Sequence, residues 1–120
     1  MPYIDGFVIP VPTDRKAEFL DHANLVDTMF LELGATRIVE GWGDDVPAGE
    51  RTDFVRAVAA TPAETVAFSW IEWPDKATRD AGMEKLPADP RMTGTPVPFD
   101  GKRMIFGGFD PIYDELGEKR

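Results

Sequence analysis

The chain has 120 residues, with 13 basic against 22 acidic side chains for a formal net charge of −9, and no cysteine. That length supports one domain with a modest core and leaves no room for separate cofactor and substrate domains. The missing thiols exclude disulfides, thiolate metal centres and cysteine nucleophiles, the acidity opposes a nucleic-acid partner, and no run of about 18 apolar residues is present to span a membrane.

Tyr3 to Val11 reads as the first strand, with Tyr3, Phe7, Ile9 and Val11 on one alternating face that Asp5 interrupts. Ile4, Gly6, Val8 and Pro10 face the other way, so both sides of the strand need cover, and Pro10 favours a strand end or an edge. Thr13 is placed to cap a helix over Asp14 to Leu33. Within that helix Phe19, Ala23, Val26, Phe30 and Leu33 fall inside about 80° of a helical wheel, a narrow apolar stripe. Gly34 supplies the stop.

Ala35 to Trp42 is the second predicted strand, with Ile38, Glu40 and Trp42 on one face and Arg37, Val39 and Gly41 on the other. A loop follows through Gly49, and Thr52 to Ala60 reads as a short irregular or helical connector. Thr65 to Trp73 is rich in strand formers, alternating Val66, Phe68 and Trp70 with Ala67, Ser69 and Ile71. Asp75 to Leu86 is helical by composition, although Ala77 and Ala81 give it only a thin apolar stripe. Residues 87–101 are a Pro- and Gly-rich loop, Arg103 to Phe109 is the last strand, and a polar segment occupies about 112–120. The order is β-α-β-β-α-β, the ferredoxin-like pattern of an α+β domain in one piece. A four-stranded sheet with helices on one side leaves its other side to be covered, and a second copy of the chain is the expected cover.

Several strings resemble the YbaA-like family, domain of unknown function 1428. They are Asp5-Gly6-Phe7-Val8, the run from Arg37 to Pro47, Phe68-Ser69-Trp70-Ile71, Asp89-Pro90-Arg91-Met92 and the run from Pro98 to Phe109. The resemblance reaches from the first strand to about Asp114 and implies a dimeric α/β barrel, in which two ferredoxin-like sheets meet around a central space. That superfamily includes cofactor-independent monooxygenases, haem-handling enzymes, isomerases and stress-response proteins. None of their catalytic residues carries over on a distinctive motif, so function has to be argued from the site itself.

His22 is the only histidine and lies about 60° from Phe19, at the border of the apolar stripe, where it could exchange a proton near neutral pH. Packing of its ring at that border is the simpler reading. Glu40 shares a strand face with Trp42, and a carboxylate beside an indole could deprotonate a small aromatic or enolisable molecule; an interfacial ion pair with a packing indole is the favoured reading. Arg91 and Lys102 could orient an anion, and Trp70 could line an aromatic cavity. Ser69 has no nucleophile elbow around it, Asp44 and Asp45 are an adjacent acidic pair that Asp53 could join, and Gly107-Gly108 is a place for a bulge or for close approach of two backbones. No metal or cofactor motif is present. The leading reading is a cytoplasmic homodimer with a pocket for a small organic or anionic ligand; the alternatives are a cofactor-independent monooxygenase or isomerase, and a structural or protein-interaction module.

Overall fold

The computed structural model describes residues 1–117. Four strands, β1 (Tyr3–Pro12), β2 (Arg37–Trp42), β3 (Glu64–Trp73) and β4 (Ile105–Phe109), form one sheet in the order β2-β3-β1-β4, antiparallel throughout. Helices α1 (Lys16–Glu32) and α3 (Lys76–Lys85) are its two main crossovers, and α2 (Phe54–Ala57) is a single turn between β2 and β3. This is the β-α-β-β-α-β order predicted from the sequence. The polar segment expected at 112–120 lies partly outside the described residues.

Alternation within the strands sorts the sheet into two faces. Phe7, Ile9 and Val11 of β1, Ala67, Ile71 and Trp73 of β3, and Ile38 and Trp42 of β2 face α1 and α3 and make the core with Phe19, Phe30, Val26 and Met83. The register pairs Phe7 with Ser69 and Glu40 with Ser69, so Glu40 and Ser69 belong to this helix-covered face. Ile4, Val8, Phe68, Trp70, Ile105 and Phe109 belong to the opposite face, which no helix covers at its centre. One end of it is closed by α2, where Phe54 meets Phe68 edge-on at 5.8 Å.

Local details differ from expectation in instructive ways. Thr13 does not cap α1: it sits in a 3-10 turn, its amide donating to the Ala63 carbonyl, and α1 begins without a side-chain cap. Burial of Phe19, Ala23, Met29 and Phe30 holds that helix instead. Gly34 stops it with φ of +113°, a conformation that costs glycine nothing. Pro10 lies in a central strand, but β4 pairs β1 only from Ile4 to Val8, so Pro10 has a single neighbouring strand and its missing donor is tolerated. Asp53 caps α2 through the Arg56 amide at 2.7 Å and also accepts from Gly49, which holds its carboxyl below the usual range. The 87–101 loop contains two 3-10 turns, Leu86–Ala88 and Pro90–Met92.

Candidate functional site

The amphipathic stripe of α1 lies over the sheet without filling the space beneath it. A cavity of about 190 Å³ remains between the helix and the strands. Phe7, Phe19, Phe30 and Phe99 supply most of its aromatic wall, and Ala23 leaves room where a larger residue would close it. Three titratable groups enter this apolar space: His22 and Asp27 from α1, and Glu40 from β2, with the Ser69 hydroxyl beside Glu40 on the next strand.

Asp27 and Glu40 form a carboxyl pair. Burial raises Asp27 first, and a hydrogen bond to Glu40 together with the Glu40 charge raises it further, to about 8. Two carboxylates in a dry site cannot both be ionised cheaply, so the pair keeps one proton at neutral pH. The two carboxyls share it across the hydrogen bond between them. Glu40 Oε1 is buried and has no other partner.

His22 sits at the edge of the same cavity with its ring edge-on to Phe99 at 5.5 Å. Burial pushes its imidazole below the ordinary value and outweighs the Pro96 carbonyl and the Glu40 charge, which act the other way. Its Nδ1 is buried with no hydrogen-bond partner. The ring also lines an outer hollow under Thr95, Pro96 and Pro98, so His22 stands between the cavity and the surface. The 93–99 loop closes this side, with Phe99 against both Phe19 and His22.

The remaining sequence candidates are placed elsewhere. Trp42 shares the Glu40 face but packs against Phe19 at 5.8 Å, with the Lys16 ammonium 5.8 Å from the centre of its ring. Arg91 is held at the surface by Glu32 at 2.6 Å and Asp89 at 2.7 Å, and Asp89 is pulled down to about 2 by that contact. Lys102 lies in an exposed turn where its amide donates to Asp100. Its neighbour Arg103 is bound to both oxygens of Glu64 at 2.7 Å. Among the described residues no Lys or Arg lines the cavity. Trp70 is on the opposite face, where it lines an apolar groove of about 540 Å³ and donates from its indole to Glu72 at 2.9 Å. His22 and Glu40 thus come together, whereas Arg91, Lys102 and Trp70 do not join them.

Asp27 is the group that sequence reasoning missed. It lies about 80° from Phe19 on the wheel, bordering the apolar stripe on the side away from His22. That position was a readable signal, since a stripe flanked by two titratable residues brings both to the edges of whatever the helix covers. Among the described residues no group of three or more His, Cys, Asp or Glu is arranged to hold a metal ion.

A family model described as "Protein of unknown function (DUF1428)" matches residues 2–101. The chain is 53% identical over 117 residues to "Uncharacterized protein YbaA" of Escherichia coli strain K12, covering 96% of this chain and all of that one. The same match is found with the protein of that name from Shigella flexneri. Among solved structures, a dimeric ferredoxin-like protein from an uncultured marine organism superposes with a TM-score of 0.59 at 11% identity, covering 96% of this chain and all of that one. That likeness bears on the fold.

Proposed function

The chain belongs to the DUF1428 family of proteins of unknown function, and from that premise we propose that it is a homodimer that binds a small organic molecule under α1 and transfers a proton to or from it. The observation that carries this reading is the Asp27–Glu40 pair in a largely apolar cavity, with Asp27 raised to about 8. A carboxylic acid and a carboxylate side by side provide an acid and a base in one place, and general acid–base catalysis needs both. Perturbed carboxyls in an enclosed space are a recognised mark of such sites. Neutral His22, between the cavity and the surface, exchanges protons with water when the pair must be reset.

The isomerase class fits this equipment better than the oxygenase class. Proton transfer needs no electron carrier, whereas oxygen chemistry without a cofactor requires the substrate to supply the electrons. The homodimer reading is supported by the apolar groove on the helix-free face and by the dimeric state of the marine ferredoxin-like protein. A cysteine-free chain is compatible with a cytoplasmic setting, and no helix among the described residues is long and apolar enough to cross a membrane.

The test is to fill the space. Ala23→Leu adds three carbons where the buried Ala23 faces the cavity and should abolish binding of one-ring fragments seen by ligand-observed NMR. A carbon-13 titration of the Asp27 carboxyl should give a midpoint near 8. Fragments that bind Ala23→Leu as well as the parent, or an Asp27 that titrates near 4 as a free carboxyl does, would remove the basis of the proposal.

A further inference from the structure

We infer that the molecule taken by this cavity is an uncharged one-ring carbonyl compound with a hydrogen on the carbon next to the carbonyl, and that Glu40 and Asp27 interconvert its keto and enol forms. The inference rests on the proton-transfer reading above and adds the charge, size and reactive group of the substrate.

Charge is decided by what lines the walls. The Asp27–Glu40 pair carries one negative charge, His22 is held neutral by burial, and no cation among the described residues faces the space. Arg91, a sequence candidate for binding an anion, is committed to Glu32 and Asp89, Arg103 is committed to Glu64 and Asp100, and Lys102 lies in an exposed turn. A substrate carboxylate or phosphate would enter an apolar site beside a like charge with nothing to neutralise it, so it is excluded by desolvation and repulsion together. An ammonium would find one carboxylate already engaged by the Asp27 proton and too few other acceptors for its remaining hydrogens. An uncharged molecule meets neither penalty.

Size follows from volume. A cavity of about 150 Å³ in an apolar core accepts benzene, so about 190 Å³ accommodates one ring with a small substituent. Phe7, Phe19, Phe30 and Phe99 favour a flat or nearly flat ring.

The reactive group follows from having an acid and a base together. Glu40 removes the hydrogen beside the carbonyl, and the C–H electron pair becomes the new C=C bond. The π pair of the C=O bond takes the Asp27 proton and becomes the enol O–H. Glu40 is then protonated and Asp27 ionised, so the pair holds the same one proton and one charge as before. The proton returns from Glu40 to Asp27 along the hydrogen bond between them, and His22, between the cavity and the surface, lets the pair trade it with water, so in heavy water the re-formed C–H bond carries deuterium. Donation from a neutral carboxylic acid to the oxygen where charge develops is what makes removal of so weakly acidic a hydrogen feasible in a dry site.

The test uses the full-length protein in heavy water with cyclohexanone and acetophenone, following exchange of the hydrogens beside the carbonyl by proton NMR. The parent should exceed an equal concentration of acetate by about 100-fold or more, the usual reach of positioned acid–base groups. Glu40→Gln and Ala23→Leu should fall to the acetate rate, each checked for folding by thermal unfolding. The groups facing Asp27 are Glu40 from β2 and His22 on its own helix, so exchange should decline as pH rises through about 8 and this decline should vanish in Asp27→Asn. Lack of Glu40-dependent exchange with both ketones overturns the inference. So does tighter binding of cyclohexanecarboxylate or cyclohexylammonium than of cyclohexanone. If Asp27 nevertheless titrates near 8 and Ala23→Leu still blocks fragments, the proton-transfer cavity stands and only the carbonyl substrate falls.

Discussion

Asp5, which is buried, and Asp27, which is half-buried, are two acids handled in opposite ways. Asp5 is 3% exposed and meets three donors: the Trp73 indole at 2.9 Å and Arg79 through both Nε and Nη2, the latter at 2.8 Å. Arg79 also lies over the Tyr3 ring at 5.2 Å. A carboxylate so fully matched is stable in place, but removing its cation leaves a buried charge without compensation. Arg79→Met should therefore cost about 3 kcal/mol in urea unfolding, and a loss below about 1 kcal/mol would show that water reaches Asp5. Asp27 has no cation and keeps its proton. Its folded value, near 8, lies above the ordinary 3.8, so the folded state binds the proton more tightly. That contribution is complete below about pH 4 and is lost as pH rises through about 8. Asp27→Asn should remove this slope and unfold roughly 4 °C above the parent at pH 9, about 1 kcal/mol for a domain of this size. Equal midpoints at that pH would refute the assignment. In the sequence Asp5 was visible only as a break in an apolar strand face, because Arg79 is 74 residues away along the chain. Asp27 was hidden for a related reason: its partner Glu40 comes from another element, and a helical wheel does not say what lies under its edge.

Elements were legible where periodicity carried them and not where packing did. The α1 stripe and the β3 alternation stand as read, and alternation alone placed Glu40 with Trp42 and against Arg37. Helix α3 is different, since its Ala77 and Ala81 are too small to explain its docking. It docks through the absence of a side chain: Gly82 is buried on Trp73, and a Cβ there would lie 3.0 and 3.2 Å from two indole carbons and 3.3 Å from Leu33 Cβ. Two effects compete in Gly82→Ala. Helix propensity favours alanine by about 1 kcal/mol, while the added carbon presses on an indole fixed by its bond to Asp5 and 1% exposed. Overpacking a rigid site costs about 1–3 kcal/mol, so the substitution should be net destabilising by about 1 kcal/mol. A rise in the thermal midpoint would mean that Trp73 yields. Gly108 makes a similar approach, where a Cβ would meet the Tyr3 ring and the Arg79 guanidinium. Close approach was one of the readings open to the Gly107-Gly108 pair, and no pattern in the sequence selects the partner.

At the scale of the whole molecule the two sides of one sheet differ: one is covered by helices and the other presents an apolar groove. The accessible surface is 8,259 Å², about 1,800 Å² more than the roughly 6,500 Å² expected of a compact monomer of this mass. Part of the excess is the bare face, where Phe68 and Ile105 are each 46% exposed and Phe109 60%. Part is the C-terminal segment, whose polar composition conceals Ile112, Tyr113 and Leu116, all exposed. A standard interface covers about 800 Å² per partner, so the proposed pairing of two sheet faces would account for much of this surface. In sedimentation equilibrium at low micromolar concentration the chain should have twice its 13.3 kDa mass. Phe68→Asp should give a folded monomer, because its charge would be buried against a second copy yet stands in water when the chain is alone. A dimer that survives Phe68→Asp but is lost when residues 112–120 are deleted would assign the association to the C-terminal segments instead. Phe68 and Ser69 are adjacent in β3 and point to opposite faces, the first to the groove and the second to the cavity. Walls of the cavity all come from one chain, so the monomeric variant should still bind fragments under α1 and keep Asp27 near 8. Loss of both on dissociation would mean that the partner holds the sheet in the shape the cavity requires, and would tie the chemistry to the dimer.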